Sequence, residues 1–80
     1  MNETLTRYDL VKSDTAGWEL KRGGRVVIRK GSKGEFLKDL EAILRRVGDG
    51  TGTVRIHTEL GSMEEERTFP RAKDPRKSYG

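Results

Sequence analysis

Positively charged side chains are concentrated in two segments of this chain. Residues 21–33 contain six Lys and Arg residues and no acidic residue, and residues 67–80 contain five basic residues and one acidic one. Residues 67–80 carry the whole net charge of +4, because residues 1–66 hold as many acidic as basic side chains. Clustered Lys and Arg contact phosphates and release counterions. The candidate nucleic-acid-binding residues are Lys21, Arg22, Arg25, Arg29, Lys30, Lys33, Arg71, Lys73, Arg76 and Lys77.

The placement of these cations favours contact with a nucleic-acid backbone. The pair of glycines between Arg22 and Arg25 predicts a two-residue hairpin turn, since glycine tolerates the positive φ of such turns. Residues 70–80 read as a basic tail, and a β-ribbon with a basic arm is an established way to hold duplex. Few aromatic residues lie among the cations, which argues against a dedicated single-strand binder. A solvated surface, or contact with a protein, remains the alternative.

The segment "RKGSKGE" at 29–35 offers a second way to bind phosphate. Lys30, Lys33 and the free N–H groups near Ser32 would surround one phosphate at the start of a helix. The segment matches no Walker or dinucleotide fingerprint. A capping box also explains it, with Ser32 as N-cap and Glu35 reaching back to it. We expect the structural role.

Groups suited to catalysis or metal binding are few. The chain has one histidine and no cysteine, which excludes disulfides and thiolate metal sites. We expect His57 to be a surface or edge histidine in a cross-strand pair. We expect Glu64–Glu66 to be solvated or paired with Arg55 or Arg67. No catalytic site assembles and metal-ligand spacing is absent, so the sequence predicts a non-enzymatic protein with no cofactor.

Hydrophobic periodicity predicts the elements that position these groups. Residues 33–47 carry an apolar stripe at helical spacing, which predicts one helix of about 15 residues between Ser32 and Gly48. Alternating or β-branched runs predict five short strands. These strands lie near residues 5–13, 18–22, 25–30, 53–59 and 63–69.

Tight turns between the strands imply antiparallel pairing. We therefore predict a small α+β domain at 1–69, in the order β-β-β-α-β-β, followed by the basic tail at 70–80. It would be an antiparallel sheet with one amphipathic helix packed on one face, and its exposed edges would allow a homodimer. We expect Trp18 in the core rather than on a stacking surface. The predicted core is Tyr8, Leu10, Trp18, Leu20, Val26, Ile28, Phe36, Leu37, Leu40, Ile43, Leu44, Val47, Val54, Ile56 and Phe69.

Composition limits the class of protein. A chain of 80 residues is one domain. Its apolar fraction of 31% is low beside 38% charged residues, but the apolar residues are clustered, as in a folded domain rather than a disordered chain. No apolar run approaches the ~20 residues of a membrane span, and the first residues lack a signal-peptide pattern. We expect a soluble, cytoplasmic protein without membrane contact.

The chain has a Gly-Trp at 17–18, an Ile-His at 56–57, a Glu-Glu-Arg-Thr-Phe run at 65–69 and an Asp-Pro at 74–75. In these motifs it resembles a small bacterial family, the domain-of-unknown-function family 2188. The resemblance extends from Tyr8 to Gly80 and lies in an early Gly-Trp, an Ile-His, a Glu-Glu-Arg-Thr-aromatic run and a late Asp-Pro. It implies this fold and brings no assigned activity. The matching residues are Gly17, Trp18, Ile56, His57, Glu65, Glu66, Arg67, Thr68, Phe69, Asp74 and Pro75.

Two functional hypotheses follow. The first is a non-enzymatic bacterial or phage-type accessory protein that binds the DNA or RNA backbone through the basic hairpin and tail. The alternative is a protein-interaction module, such as a regulator or inhibitor, that docks by a sheet edge or by the face away from the helix.

Overall fold

The computed structural model describes residues 5–69, which fold into one sheet and two helices. The elements are β1 (Arg7–Lys12), β2 (Trp18–Arg22), β3 (Arg25–Lys30), α1 (Lys33–Lys38), α2 (Leu40–Val47), β4 (Gly52–His57) and β5 (Met63–Phe69). The strand order across the sheet is β3-β2-β1-β4-β5. The predicted α+β class and the five strands are confirmed. The predicted tail at 70–80 lies outside the described residues.

The sheet is mixed rather than antiparallel throughout. β1 is antiparallel to β2 but parallel to β4, and the pairs β2–β3 and β4–β5 are antiparallel. A tight turn dictates the direction only of the two strands that it joins. The two helices carry the chain from the end of β3 back to the end of the sheet where β1 begins. β4 therefore starts beside the start of β1 and runs in the same direction.

The core lies between the helices and one face of the sheet. Alternate residues of the central strands, such as Leu10, Leu20 and Val54, are fully buried against Phe36 and Leu44 of the helices. Burying a side chain of this kind stabilises the fold by about 1.5–3 kcal/mol. The buried core residues are Tyr8, Leu10, Trp18, Leu20, Phe36, Leu40, Ile43, Leu44, Val54, Ile56 and Phe69, with Ile28, Leu37 and Val47 packed at the margin.

Val26 is the predicted core residue that the structure places elsewhere, since 38% of it is exposed. The register between β2 and β3 shifts after Leu20, so Leu20 pairs with Ile28 whereas Lys21 pairs with Val26. Val27 is the extra residue of this bulge. A bulge reverses the faces taken by the residues on its far side. Val26 therefore lies on the face of the sheet away from the helices, which we call the open face.

The single predicted helix is divided in two. Ser32 caps α1 as predicted, because its Oγ accepts a hydrogen bond from the Glu35 N–H at 3.2 Å. The other half of the predicted capping box, in which the Ser32 N–H donates to the Glu35 carboxylate, does not form among the described residues. Asp39 then leaves helical geometry, with φ −125° and ψ 26°, before α2 begins. The apolar spacing continues across this break, so the sequence carries no signal of it.

Gly48 ends α2 as predicted, but not in the left-handed conformation that C-terminal glycines often adopt. Its φ is −160°, which is extended backbone that any residue adopts. A Cβ atom at this position would lie 2.9 Å from the hydroxyl oxygen of Tyr8. The glycine is therefore required by the close approach of a buried aromatic side chain.

Candidate nucleic-acid interface

The sheet has two ends, and the predicted site residues are divided between them. Tyr8 pairs with Arg22, and Gly52 pairs with Phe69. The β2–β3 turn, the starts of β1 and β4 and the last residue of β5 therefore share one end, which we call the hairpin end. The end of β3 and the β4–β5 turn lie at the opposite end.

Lys21, Arg22 and Arg25 lie at the hairpin end. Lys21 is half-buried on the open face beside Asp9, whereas Arg22 and Arg25 are exposed. Among residues 5–69, no carboxylate forms an ion pair with Lys21 or Arg25. The charges of these two side chains are therefore available to a ligand.

Arg22 connects the hairpin to the helices. Its Nη1 donates a hydrogen bond of 2.7 Å to the backbone carbonyl of Val47. The last carbonyls of a helix lack intrahelical partners and carry partial negative charge, which a guanidinium satisfies. Arg22 keeps its full positive charge, because its partner is a carbonyl and not a carboxylate.

Arg29 and Lys33 lie at the opposite end, where carboxylates hold them. Arg29 Nε lies 3.2 Å from a Glu19 oxygen. Lys33 donates to Glu64 and lies 5.1 Å above the Trp18 ring, a cation–π distance. These residues are therefore less available than Lys21 and Arg25.

The single-phosphate pocket considered for residues 29–35 does not assemble. The ammonium group of Lys33 is directed at Glu64, and the Ser32 hydroxyl is taken by the cap of α1. Lys30 lies apart, in a hollow of about 180 Å³ that it shares with Asp39 and Arg46.

Two shallow hollows flank the β2–β3 turn, and one of them is lined by Arg7, which the sequence did not indicate as a site residue. Arg7 lies outside both basic segments, and only the β1–β2 register brings it beside the turn. The first hollow, about 490 Å³, is lined by Arg22, Gly23, Arg25, Val26 and Val27. The second, about 450 Å³, is lined by Leu5, Thr6, Arg7, Asp9, Arg22, Gly23 and Gly24.

The three carboxylates of the acidic run in β5 have different partners. Arg55 Nε lies 3.8 Å from Glu66 across the strands, without a hydrogen bond, which confirms one expected pair. Arg67 Nε lies 2.7 Å from Glu65 on the same strand, and Glu64 pairs with Lys33, which the sequence did not predict. Within the described part of the chain, no three His, Asp or Glu side chains are grouped so that they could hold a metal ion.

His57 joins three parts of the fold. Its Nε2 lies 3.1 Å from Asp9 on β1, and its Nδ1 lies 3.3 Å from the carbonyl of Gly61 in the β4–β5 turn. The expected cross-strand pair is therefore confirmed, and its partner is on the parallel neighbour of β4. His57 is half-buried on an inner strand, however, and not on an edge of the sheet.

Asp49 is an acidic residue on the helix side of the hairpin end. Its Oδ1 accepts hydrogen bonds from the Thr51 hydroxyl at 2.7 Å and from the Thr51 N–H at 3.0 Å. These two hydrogen bonds lower the pKa of Asp49 below its ordinary value of 3.8, and the bond from the hydroxyl has the larger effect. Asp49 is therefore negatively charged at neutral pH.

The other predicted site residues, Arg71, Lys73, Arg76 and Lys77, lie outside the described residues. Between Leu5 and Phe69, no helix is long and apolar enough to cross a membrane. The chain matches no family model, no curated protein and no solved structure. The resemblance to family 2188 therefore remains a prediction.

Proposed function

We propose that this chain binds the phosphate backbone of a nucleic-acid duplex through its hairpin end. The observation that supports this most is positional. Lys21 and Arg25 form no ion pair with any residue from 5 to 69, and Phe69, after which the basic tail continues in the sequence, is at the same end of the sheet. Both basic segments therefore start from one side of the domain, where a single polyanion reaches both.

A duplex fits this surface better than a single strand. Binding of single strands relies on exposed aromatic side chains on which bases stack. All four aromatic residues between Leu5 and Phe69 are buried, at 7% exposure or less. The predicted core position of Trp18 is confirmed by this burial. The remaining contacts are cationic, and they favour backbone phosphates over bases.

The β2–β3 turn contacts phosphates rather than entering a groove. Reading the major groove with a β-ribbon requires two strands that project from the domain. Here Tyr8 of β1 pairs with Arg22, so β1 accompanies the hairpin almost to its tip. Little sequence specificity and a strong dependence on salt are the expected consequences.

The test is a salt titration of fluorescence anisotropy with a short labelled duplex and the full chain. The variant Lys21→Gln/Arg25→Gln removes two hairpin-end charges. We expect the slope of log affinity against log salt to become shallower by about 2, since each phosphate contact contributes about 0.9. Its control, Arg29→Gln/Lys30→Gln, removes the same charge from the opposite end of the sheet and should leave the slope within about 0.5 of the parent.

Two further results decide the proposal. Deletion of residues 70–80 removes Arg71, Lys73, Arg76 and Lys77, and should make the slope shallower by up to about 4. Absent binding at about 50 mM salt, binding insensitive to salt, or equal losses in the two double variants would overturn the proposal.

A protein-interaction module is the second candidate, and the outer edge of β3, which pairs with no further strand in the described part of the chain, favours it. Val26, Val27 and Ile28 on this edge are exposed or half-buried. In a fully overlapped antiparallel pair of two β3 edges, Arg25 of one copy would face Lys30 of the other, and this repulsion disfavours a homodimer. A partner retained from a nuclease-treated lysate, with no duplex binding, would support this candidate.

A further inference from the structure

Three side chains cross the hairpin end of the open face as one row. Arg7 on β1 pairs with Thr53 on β4, and Thr53 pairs with Thr68 on β5. The residue that follows each of them is buried against the helices, and successive strand residues point to opposite faces. Arg7, Thr53 and Thr68 therefore lie side by side on the open face.

The next row of the open face contains two carboxylates and two cations. Lys21, Asp9, Arg55 and Glu66 follow one another across four strands and alternate in sign. Asp9 is bonded to His57, and Glu66 is near Arg55. This row is close to neutral, so the unbalanced charge at this margin of the face is that of Arg7.

The three side chains of the row are available to a ligand. Arg7 is exposed, and it forms no ion pair with any residue that the structure describes. The Thr53 and Thr68 hydroxyls likewise have no hydrogen-bond partner among residues 5–69. A guanidinium beside two hydroxyl donors complements the acceptor oxygens of phosphate. Two strand spacings of about 4.8 Å separate Arg7 from Thr68.

The helix side of the hairpin end contains a carboxylate, that of Asp49, beside the cation Arg22. On the helix side, Asp49 presents a negative charge that would repel a phosphate. On the open face, the row from the β2–β3 turn to β5 contains no carboxylate. Thr68 also directly precedes Phe69, so the row ends where the basic tail begins.

We propose that the phosphodiester backbone crosses the open face along Arg7, Thr53 and Thr68, from the β2–β3 turn to the start of the tail. This inference rests on the proposed function and defines the path of its ligand. Arg7 supplies the charge of this contact, and the two hydroxyls donate to phosphate oxygens.

The test measures duplex affinity and its salt slope for the full chain with single substitutions. Arg7→Gln should weaken binding roughly fivefold and make the slope shallower by about 0.9, because one phosphate contact is lost. Thr68→Val should weaken binding roughly twofold and leave the slope unchanged, because a hydroxyl carries no charge. The control Lys12→Gln removes an exposed cation from the other end of β1 and should change neither quantity.

The outcomes separate this inference from the proposed function. If the parent chain binds no duplex, both fail. A different result overturns only the path across the open face. In that case the parent binds duplex, Lys21→Gln/Arg25→Gln weakens the binding, and Arg7→Gln has no more effect than Lys12→Gln. Arg7→Lys, which keeps the charge, should retain most of the salt slope. Circular dichroism of each variant confirms that the sheet is intact.

Discussion

The two ends of the sheet contain similar numbers of cations but use them differently. At the opposite end, Arg29 and Lys33 are held by Glu19 and Glu64, and Lys33 also covers Trp18. Lys12 and Lys30 at that end form no ion pair with a described residue. At the hairpin end, Lys21 and Arg25 have no ion pair among the described residues, and Arg22 binds a backbone carbonyl. A count of basic residues therefore does not measure the positive charge that is available to a ligand. The pairing of each cation in the folded chain decides it.

The glycines differ in how closely they are packed, and close packing occurs at both ends of the sheet. At the hairpin end, Gly48 and Gly52 leave room for the Tyr8 side chain, whose nearest atoms lie 2.9 Å and 2.8 Å from where a Cβ would stand. At the opposite end, a Cβ on Gly17 would lie 2.6 Å from a backbone carbonyl oxygen of β3, whereas Gly61 in the β4–β5 turn has no atoms within 4 Å of that position. Gly52 and Gly61 therefore represent a closely packed site and an open one.

The largest expected effect tests this difference in packing. Gly52→Ala places a Cβ 2.8 Å from both the Thr6 carbonyl oxygen and Tyr8 Cε2, at a φ of 146°. We expect the free energy of unfolding to fall by about 2–5 kcal/mol, from backbone strain and overpacking together. The control Gly61→Ala, also at positive φ but in open space, should cost only about 1–2 kcal/mol. Urea denaturation measures both, and equal losses would contradict the comparison.

A smaller effect is expected from the link between the hairpin and α2. Arg22→Gln removes the hydrogen bond to the Val47 carbonyl, and we expect the free energy of unfolding to fall by about 0.5–1.5 kcal/mol. Arg25→Gln is the matched control, because Arg25 flanks the same turn but its side chain forms no hydrogen bond or ion pair with a described residue. Thermal denaturation at several salt concentrations measures the difference. A loss no greater than that of Arg25→Gln would show that the bond does not hold the hairpin to the helix.

The engaged cation at the opposite end should contribute stability but not binding. Lys33→Gln removes the Glu64 ion pair and the contact with Trp18, and we expect a loss of about 0.5–1 kcal/mol. Tryptophan fluorescence should shift, because the cation leaves the indole ring. Lys38→Gln, an exposed helix control, should change neither stability nor fluorescence. Weaker duplex binding by the Lys33 variant would contradict the expectation that this cation does not contact the ligand.

The smallest expected effect is the pH dependence from Asp49. Because folding lowers the pKa of Asp49 below 3.8, its stabilising contribution is present above that pH and is lost as pH falls through the folded-state pKa. Asp49→Asn should remove this part of the acid dependence, and Thr51→Val should reduce it by removing the hydroxyl donor. Chemical denaturation at a series of acidic pH values measures the slope. An unchanged acid dependence in both variants would contradict the assignment.

Local features were sufficient to predict much of the fold. The strands, the Ser32 cap, the apolar stripe of the helices and most of the core follow from periodicity and turn chemistry, which act over a few residues. The pairing of Glu66 with Arg55 was also expected, because cross-strand neighbours follow from the β4–β5 hairpin.

Contacts between distant parts of the chain decided the rest. The parallel pairing of β1 with β4, the bulge that turns Val26 outward and the position of Arg7 beside the β2–β3 turn all depend on register between strands. A shift of one residue moves every following side chain to the other face, and nothing local specifies that shift. The order of residues alone shows where the basic residues lie along the chain. Only the fold decides which of them pair with carboxylates and which remain available, because pairing depends on contacts between distant residues.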